Sequence, residues 1–266
     1  MPGLAASAVG LFSLTYAFVE ANNYGWGSAR IVAAFAIAAV SLIVFVLLER
    51  HQRAPMLDLS LFRNRTFAGA NTSMLFVGLA MFGTFFYVSI YMQQVLKYSP
   101  VQAGASFLPM TLLVIVLAPR MGALSDRVGS RFLVGGGMSL LALMLLYYSR
   151  LGAHESFWKI LPGLLLGGIG MGSTMTPVTA AAMSAVAVDK AGVGSAVLNS
   201  ARQVGGSLGI AVMGAIVASQ SDYLTGFHDA LLVGALLCLS GAVVSVLAIR
   251  KIEHPHAHAG AAVEAA

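Results

Sequence analysis

Apolar residues run along almost the whole chain in long segments, and short polar stretches separate them. A hydrocarbon core about 30 Å thick needs about 20 residues of helix to span it, and backbone polar groups in lipid must find partners within their own segment. The pattern therefore predicts an all-α, polytopic membrane protein of about eight transmembrane helices. The eight segments are 4–19, 31–48, 67–91, 103–121, 132–148, 160–182, 199–218 and 230–249.

The composition supports the same prediction. Hydrophobic residues make up 58% of the chain and charged residues only 9%, whereas a soluble domain carries about a quarter charged residues. The lipid bilayer is thus a predicted partner. The net charge of +5 does not indicate a nucleic-acid partner, because the basic residues lie in short loops rather than on one face.

The loop charges predict an orientation. If both termini are cytoplasmic, ten Lys and Arg residues lie on the cytoplasmic side and four on the other. Since positive residues are retained on the cytoplasmic side, we expect a multi-pass protein of the cell (plasma) membrane with both termini in the cytoplasm. The ten are Arg50, Arg53, Arg63, Arg65, Arg120, Arg127, Arg131, Lys190, Arg250 and Lys251; the four are Arg30, Lys97, Arg150 and Lys159.

A charged stretch that contains the helix breaker Pro55 divides the chain. It is interpreted as an amphipathic cytoplasmic connector between a two-helix hairpin and a six-helix unit, which is itself made of two repeats. The last residues have nothing to bury, so a disordered tail is expected. The predicted units are 1–48 for the hairpin, 49–66 for the connector, 67–252 for the six helices (repeats about 67–150 and 157–250) and 253–266 for the tail.

The sharpest local signal lies between the fourth and fifth segments and fits the pattern G-x-L-x-D-R-x-G-x-R. It contributes Gly122, Asp126, Arg127, Gly129 and Arg131. The glycines allow tight turns, and the carboxylate is expected to precede the next helix and accept its free backbone N–H bonds. Two interpretations stay open: a loop that switches conformation, or a positively charged loop with ordinary turn glycines.

Polar residues inside the apolar segments are few. Asn199, Arg202 and Gln203 are spaced i, i+3, i+4 and share one helix face. The face lies near the cytoplasmic end of the seventh segment. An arginine at the centre of a bilayer costs about 2.5–3.5 kcal/mol even on the lenient scale, so this face is expected to meet protein or a wet cavity, or to snorkel to the interface. A pathway or gating role and structural hydrogen bonding stay open here, and Asn71 is a weaker candidate for the same role.

Glycine pairs with G-x-x-x-G spacing predict close helix packing. Such contacts occur in transporters that rock between two states and also in rigid bundles, so both remain open. Pro177 is expected to kink the sixth segment. The pairs are Gly163/Gly167, Gly168/Gly172 and Gly205/Gly209.

His254, His256 and His258 alternate in the tail, where solvated side chains are expected rather than a weak metal site. The rest of the chain shows no pattern for an enzyme, a metal or a cofactor. His51, His154 and His228 lie between apolar segments, and Cys238 has no His or acid at helical spacing. General acid–base chemistry needs such partners within hydrogen-bond reach. The phosphate-binding pattern G-x-x-x-x-G-K-[ST] is absent too, which argues against an ATP-driven pump.

The loop motif at 122–131 resembles that of the major facilitator superfamily of secondary transporters. Further segments resemble the fourteen-helix drug/proton antiporter branch, where they fall in the last eight helices. The resemblance implies efflux of small, hydrophobic or drug-like molecules by proton-coupled alternating access. These segments are 24–28 (YGWGS), 55–63 (PMLDLSLFR), 98–104 (YSPVQAG), 168–172 (GIGMG) with Pro177, and 199–209 (NSARQVGGSLG).

The chain departs from that branch at its start, where the first six helices, the first copy of the loop motif and the usual proton-carrying acids have no counterpart. We therefore expect the carboxyl-terminal part of a transporter, a truncated product or an internally initiated fragment. Its expected partners are a small-molecule substrate and either an amino-terminal six-helix half or a second copy of itself. The alternative is a membrane subunit that does not transport.

Overall fold

The structure is a computed structural model that describes residues 2–51 and 59–249. The parts of the connector and tail at 52–58 and 250–266 lie outside these residues, so the disordered-tail prediction stays untested. Within them the chain is helical, without strands. The helices are α1 Pro2–Tyr24, α2 Ala29–His51, α3 Arg65–Gln94, α4 Pro100–Ser106, α5 Leu108–Val128, α6 Ser130–Tyr148, α7 Phe157–Ser184, α8 Ala191–Ser219 and α9 Tyr223–Ala248, with 3-10 turns at Leu59–Arg63 and Val188–Lys190.

The predicted all-α, polytopic membrane fold is confirmed. Seven helical stretches are long and apolar enough to cross a membrane, and α4 with α5 counts as one of them. The exception among the eight predicted segments is α7, whose Gly, Ser, Thr and Pro residues lower its mean hydropathy. It nevertheless has 28 residues and lies against α5 and α6, with much of its length buried.

Two helices begin about two turns earlier than the apolar segments suggest. Helix α8 starts at Ala191 rather than 199, and α9 starts at Tyr223 rather than 230. Small and polar residues lower the hydropathy of these first turns without breaking the helix. The Asp222 side chain also accepts a hydrogen bond from the Thr225 N–H at 3.1 Å, which caps α9.

The fourth predicted segment, 103–121, belongs to two helices that meet at Phe107. The first, α4, begins with a capping box in which the Ser99 hydroxyl accepts from the Gln102 N–H and the Gln102 side chain accepts from the Ser99 N–H. Pro100 follows at the first helical position, where its missing N–H is not needed.

Helices α1 and α2 form a hairpin, and α1 lies against α8. In the rest of the bundle α3 packs on α8 and α9, while α6 packs on α7 and α9. Stacked rings of Tyr91 and Phe227, 5.0 Å apart, lie in the buried core between α3 and α9. This packing describes the helices, and the proposed division into units and repeats stays a prediction.

The two ends of the bundle differ. At the connector end, where α2 ends and α3 begins, lie the α5–α6 and α7–α8 junctions. At the distal end, loop 149–156 is tied to two helices: the Tyr91 hydroxyl donates to the Gly152 carbonyl at 2.6 Å, and His228 Nε2 lies 2.7 Å from the Leu151 carbonyl oxygen. The Lys159 and Glu155 side chains pair there at 2.7 Å.

Candidate functional site

The G-x-L-x-D-R-x-G-x-R motif forms a joint between α5 and α6. Its first part continues α5 to Val128, and α6 begins at Ser130, so Gly129 alone separates them. Gly129 has φ 97°, a backbone conformation that L side chains rarely adopt. Across the joint the buried hydroxyls of Ser125 and Ser130 lie 2.8 Å apart. The predicted loop is therefore one residue long.

Asp126 lies in the last turn of α5 with an exposed side chain. The N-cap residue of α6 is Gly129 and not Asp126, and the predicted bonding of this carboxylate to the first N–H groups of α6 stays a prediction. Arg127 is exposed beside it, and the Arg131 guanidinium lies over the Phe132 ring at 4.4 Å. Gly122 faces α7, where an added Cβ would lie 3.0 Å from Thr176 Cγ2.

Arg202 lies in a crevice between α1 of the hairpin and α8. The crevice has a volume of about 340 Å³. The guanidinium Nη2 donates to the Asn199 side-chain oxygen at 2.7 Å, while the buried Nε has no partner among the described residues. The crevice is lined by Leu11, Thr15, Asn199, Ser200, Arg202, Gln203 and Val204. The structure thus brings the three polar residues of the predicted face together.

A second, apolar cavity of about 130 Å³ also touches Arg202. It is comparable in size to an engineered dry cavity of about 150 Å³ that accepts benzene. Water would find few polar partners in this cavity. Helices α3 and α7 supply its other lining residues, which are Val77, Gly78, Met81, Phe82, Phe85, Met171 and Met175.

Asn71 lines neither of these two cavities. It is buried in α3, and its amide nitrogen donates to the Phe67 carbonyl of the preceding turn at 2.9 Å. Its side-chain oxygen has no partner among the described residues. Asn71 therefore does not line the crevice that contains the polar face of α8.

The two glycine pairs of α7 face different neighbours. Gly163 and Gly167 lie against the Tyr148 and Met144 side chains of α6. The other pair lies against α5, where a Cβ at Gly168 would be 3.1 Å from the Met110 carbonyl oxygen and one at Gly172 would be 3.2 Å from Leu117 Cβ. These glycines let α7 approach both neighbours closely.

The Gly205/Gly209 pair of α8 lies against the backbone of α3, at the carbonyls of Leu75 and Leu79. Sequence reasoning missed the partner glycine on α3, Gly78, which lies against the Arg202 carbonyl. Gly78 pairs with Gly83 at a spacing of five residues, so the G-x-x-x-G pattern does not find it.

Gly137 of α6 was missed for the same reason, because it is not part of a G-x-x-x-G pair. Its backbone touches the backbone of Gly170 of α7.

Pro177 is buried within α7, and the helix continues past it to Ser184. Because proline lacks an N–H, it cannot donate to the Ser173 carbonyl one turn earlier. The predicted kink at this proline stays a prediction.

Within the described ranges, no group of three or more His, Cys, Asp or Glu side chains could hold a metal ion. The geometry of the described residues fits solute binding and movement between helices. The polar crevice at Arg202, the α5–α6 joint and the glycine contacts are the features that could carry such a role.

Comparison with known proteins identifies the family. Residues 2–210 match the sequence family described as the Major Facilitator Superfamily. The chain is 35% identical to multidrug resistance protein Stp of Mycobacterium tuberculosis over 79% of its own length and 39% of that protein. It is 35% identical to puromycin resistance protein pur8 of Streptomyces alboniger (85% and 46%), and 32% identical to the tetracenomycin C resistance and export protein of Streptomyces glaucescens (82% and 40%).

The chain thus spans less than half the length of these three relatives. Two of them are named for resistance to an antibiotic and the third for multidrug resistance. The family match covers most of the chain, from α1 well into α8. The chain is a multi-pass helical membrane protein that belongs to the major facilitator superfamily, in its multidrug efflux branch.

Proposed function

We propose that this chain is the carboxyl-terminal part of a transporter that exports small hydrophobic or drug-like molecules by alternating access. The observation that carries the proposal is its similarity, over about four fifths of its length, to proteins named for drug resistance and export. Members of this superfamily are transporters rather than enzymes. The substrate pathway would then run between this chain and an amino-terminal six-helix half or a second copy.

The helix contacts support a moving bundle. Gly205 and Gly209 of α8 meet the carbonyls of Leu75 and Leu79 of α3 without intervening side chains. Contacts between two backbones lack interlocking side chains, so one helix can shift along the other at small cost. Gly129 gives the α5–α6 joint a single-residue hinge in the same bundle.

Proton coupling is part of the proposal for the whole transporter. The acidic residues that the structure describes lie within about two turns of a helix end or in loops, as Glu20, Asp126 and Asp229 illustrate. A proton carrier in transporters is usually a carboxylate inside the membrane. We therefore assign the coupling carboxylate to the partner half rather than to the described part of this chain.

The same proposal places the protein in the cell membrane with both termini in the cytoplasm. Arg63, Arg65, Arg127 and Lys190 all lie at the connector end of the bundle, and the positive-inside rule assigns that end to the cytoplasm. The distal loop 149–156 then faces the outside.

Uptake of radiolabelled puromycin into everted membrane vesicles tests the proposal. One preparation contains this chain alone, and a second contains it together with the amino-terminal six helices of the Streptomyces alboniger relative. We expect uptake that a protonophore abolishes in the second preparation. Vesicles without either polypeptide, and vesicles with only the relative's six helices, are the controls.

The second candidate function is a membrane subunit that does not transport. It is favoured by the absence of a mid-membrane carboxylate from the described residues. Full membrane levels of the chain with no puromycin uptake in either preparation would overturn the transporter proposal and support this one.

A further inference from the structure

The crevice at Arg202 continues into an apolar groove. The groove has a volume of about 350 Å³ and lies between the hairpin and the first turns of α8. Leu11 and Ser200 line both spaces, so the polar crevice and the apolar groove form one cleft with two chemically different parts. Its combined size falls within the range of about 300–1,000 Å³ that is usual for small-molecule sites. The other residues of the groove are Leu4, Ser7, Leu42, Phe45, Val193, Ala196 and Val197.

Arg202, which lines the polar part of the cleft, carries an unmet hydrogen-bond donor. Arg202 is half-buried, and its Nε is a buried donor without a partner among the described residues. Leaving such a donor unmet is unfavourable, and more so for a charged group. The Asn199 side-chain oxygen accepts a hydrogen bond from Nη2 of Arg202 and not from Nε. A carboxylate or sulfonate in the crevice would give the guanidinium two acceptor oxygens in the geometry it prefers.

The order of the apolar and polar parts along α8 argues that the occupant is a solute and not a membrane lipid. Arg202 lies 11 residues after Ala191, which places it about 16 Å along α8 from the connector end. A lipid of this leaflet has its headgroup at the connector end and its chains deeper. The cleft has the opposite polarity, with the apolar groove nearer that end.

We propose that Arg202 and Asn199 bind the anionic group of an amphipathic aromatic solute whose apolar part lies in the groove between α1 and α8. The hairpin is then one wall of a binding site and not only a spacer. This inference deepens the proposed function and rests on it, because it names anionic amphiphiles as the solute class. The carboxylate meets the Arg202 guanidinium, and the ring contacts Leu11, Leu42 and Val197.

Ligand-observed fluorine NMR on the purified chain in phosphatidylcholine nanodiscs tests the site. The probes are 6-fluoro-2-naphthoate, the neutral 6-fluoro-2-naphthamide and the cationic (6-fluoro-2-naphthyl)methylammonium, with empty nanodiscs as the blank. We expect Arg202→Gln to weaken naphthoate binding about tenfold or more, because a charge-assisted pair is lost. The naphthamide affinity should change less than about threefold. Arg202→Lys should keep the preference for the anion at reduced affinity.

A second variant tests the groove without removing the charge. Leu11→Trp fills the cleft at the residue that its two parts share, so naphthoate binding should fall at least as far as in Arg202→Gln. Phe12→Trp is the matched control, because the Phe12 side chain is 73% exposed on the same helix. Arg150→Gln controls for the loss of a positive charge elsewhere. If Arg202→Gln aggregates and cannot be measured, the loss of naphthoate binding in Leu11→Trp still tests the site.

Three results would overturn the proposal. The first is an equal loss of binding of all three probes in Arg202→Gln, and the second is unchanged naphthoate binding in Leu11→Trp. The third is displacement of naphthoate when phosphatidylglycerol is added to the nanodiscs. The last result would assign the site to a lipid headgroup. Because binding is measured without flux, anion-selective binding together with no uptake of either naphthoate or puromycin into the two vesicle preparations would refute the transporter proposal alone. Uptake without anion-selective binding would refute only this site.

Discussion

At the scale of single residues, neighbouring glycines of α6 differ in what surrounds them. A Cβ at Gly137 would lie 2.7 Å from the Gly170 carbonyl oxygen and would also meet the Thr174 hydroxyl. A Cβ at Gly136 would meet nothing within 4 Å. The α6–α7 contact is therefore made by Gly137 and not by Gly136.

We predict that Gly137→Ala destabilises the protein by about 1–3 kcal/mol, because the methyl group forces α6 and α7 apart. Gly136→Ala should change stability by no more than about 1 kcal/mol, in the stabilising direction, since alanine is the better helix former. Unfolding in mixed detergent, followed by circular dichroism, measures both. Equal losses in the two variants would show that α6 and α7 do not meet at this residue.

Asp126 sits one turn before the Gly129 joint, so its charge adjoins the junction of α5 and α6. We predict that Asp126→Asn in the two-half transporter lowers puromycin transport by about fivefold or more, a size typical of coupling between conformational states. Its level in the membrane should change little, because the side chain is exposed. Asp189→Asn, at an exposed residue of the turn between α7 and α8, is the control. Unchanged transport in Asp126→Asn would remove the switching role.

At the scale of elements, the distal loop between α6 and α7 is held partly by an ionisable contact. The Lys159 ammonium donates to the Glu155 carboxylate, and the Gly152 N–H donates to it as well, so together they lower the pKa of Glu155 below its usual value of about 4.5. The folded state thus favours the ionised carboxylate. This contribution is present above about pH 4.5 and is lost as the pH falls through the lowered pKa.

We predict that amide exchange in residues 151–157, corrected for intrinsic rates, becomes faster between about pH 6 and about pH 3. In Glu155→Gln the acceleration of amide exchange at low pH should disappear, since the glutamine side chain does not titrate. Hydrogen–deuterium exchange with mass spectrometry measures both proteins. The Tyr91 hydroxyl bond to Gly152 persists in both, so the loop should loosen without unfolding of α3. The same pH dependence in both proteins would contradict this assignment.

At the scale of the whole molecule, the orientation can be measured through cysteine accessibility. The natural Cys238 is fully buried, so the unmodified protein should react little with a maleimide. In intact cells we predict that a membrane-impermeant maleimide labels His154→Cys in the distal loop, and that Asp189→Cys at the connector end reacts only after lysis. Both native side chains are exposed. The reverse pattern would invert the predicted orientation.

Much of the architecture could be predicted from local sequence. Each apolar segment reports its preference for lipid independently of the others, so the helices and the membrane fold follow from hydropathy alone. Helix ends could be predicted less well, because capping lies in single polar residues such as Ser99 and Asp222, outside the apolar pattern. The one-residue joint at Gly129 was missed because a helix can run on through polar residues such as Asp126.

The sequence by itself determined that this protein is a bundle of membrane-spanning helices, and which residues are small or polar enough to matter inside it. Only the tertiary structure decided what they face: α7 turns one glycine pair to α6 and the other to α5, and Arg202 lies between the hairpin and α8. The physical reason is that burial in lipid is a property of one segment, whereas a contact or a cavity needs two segments far apart in the chain.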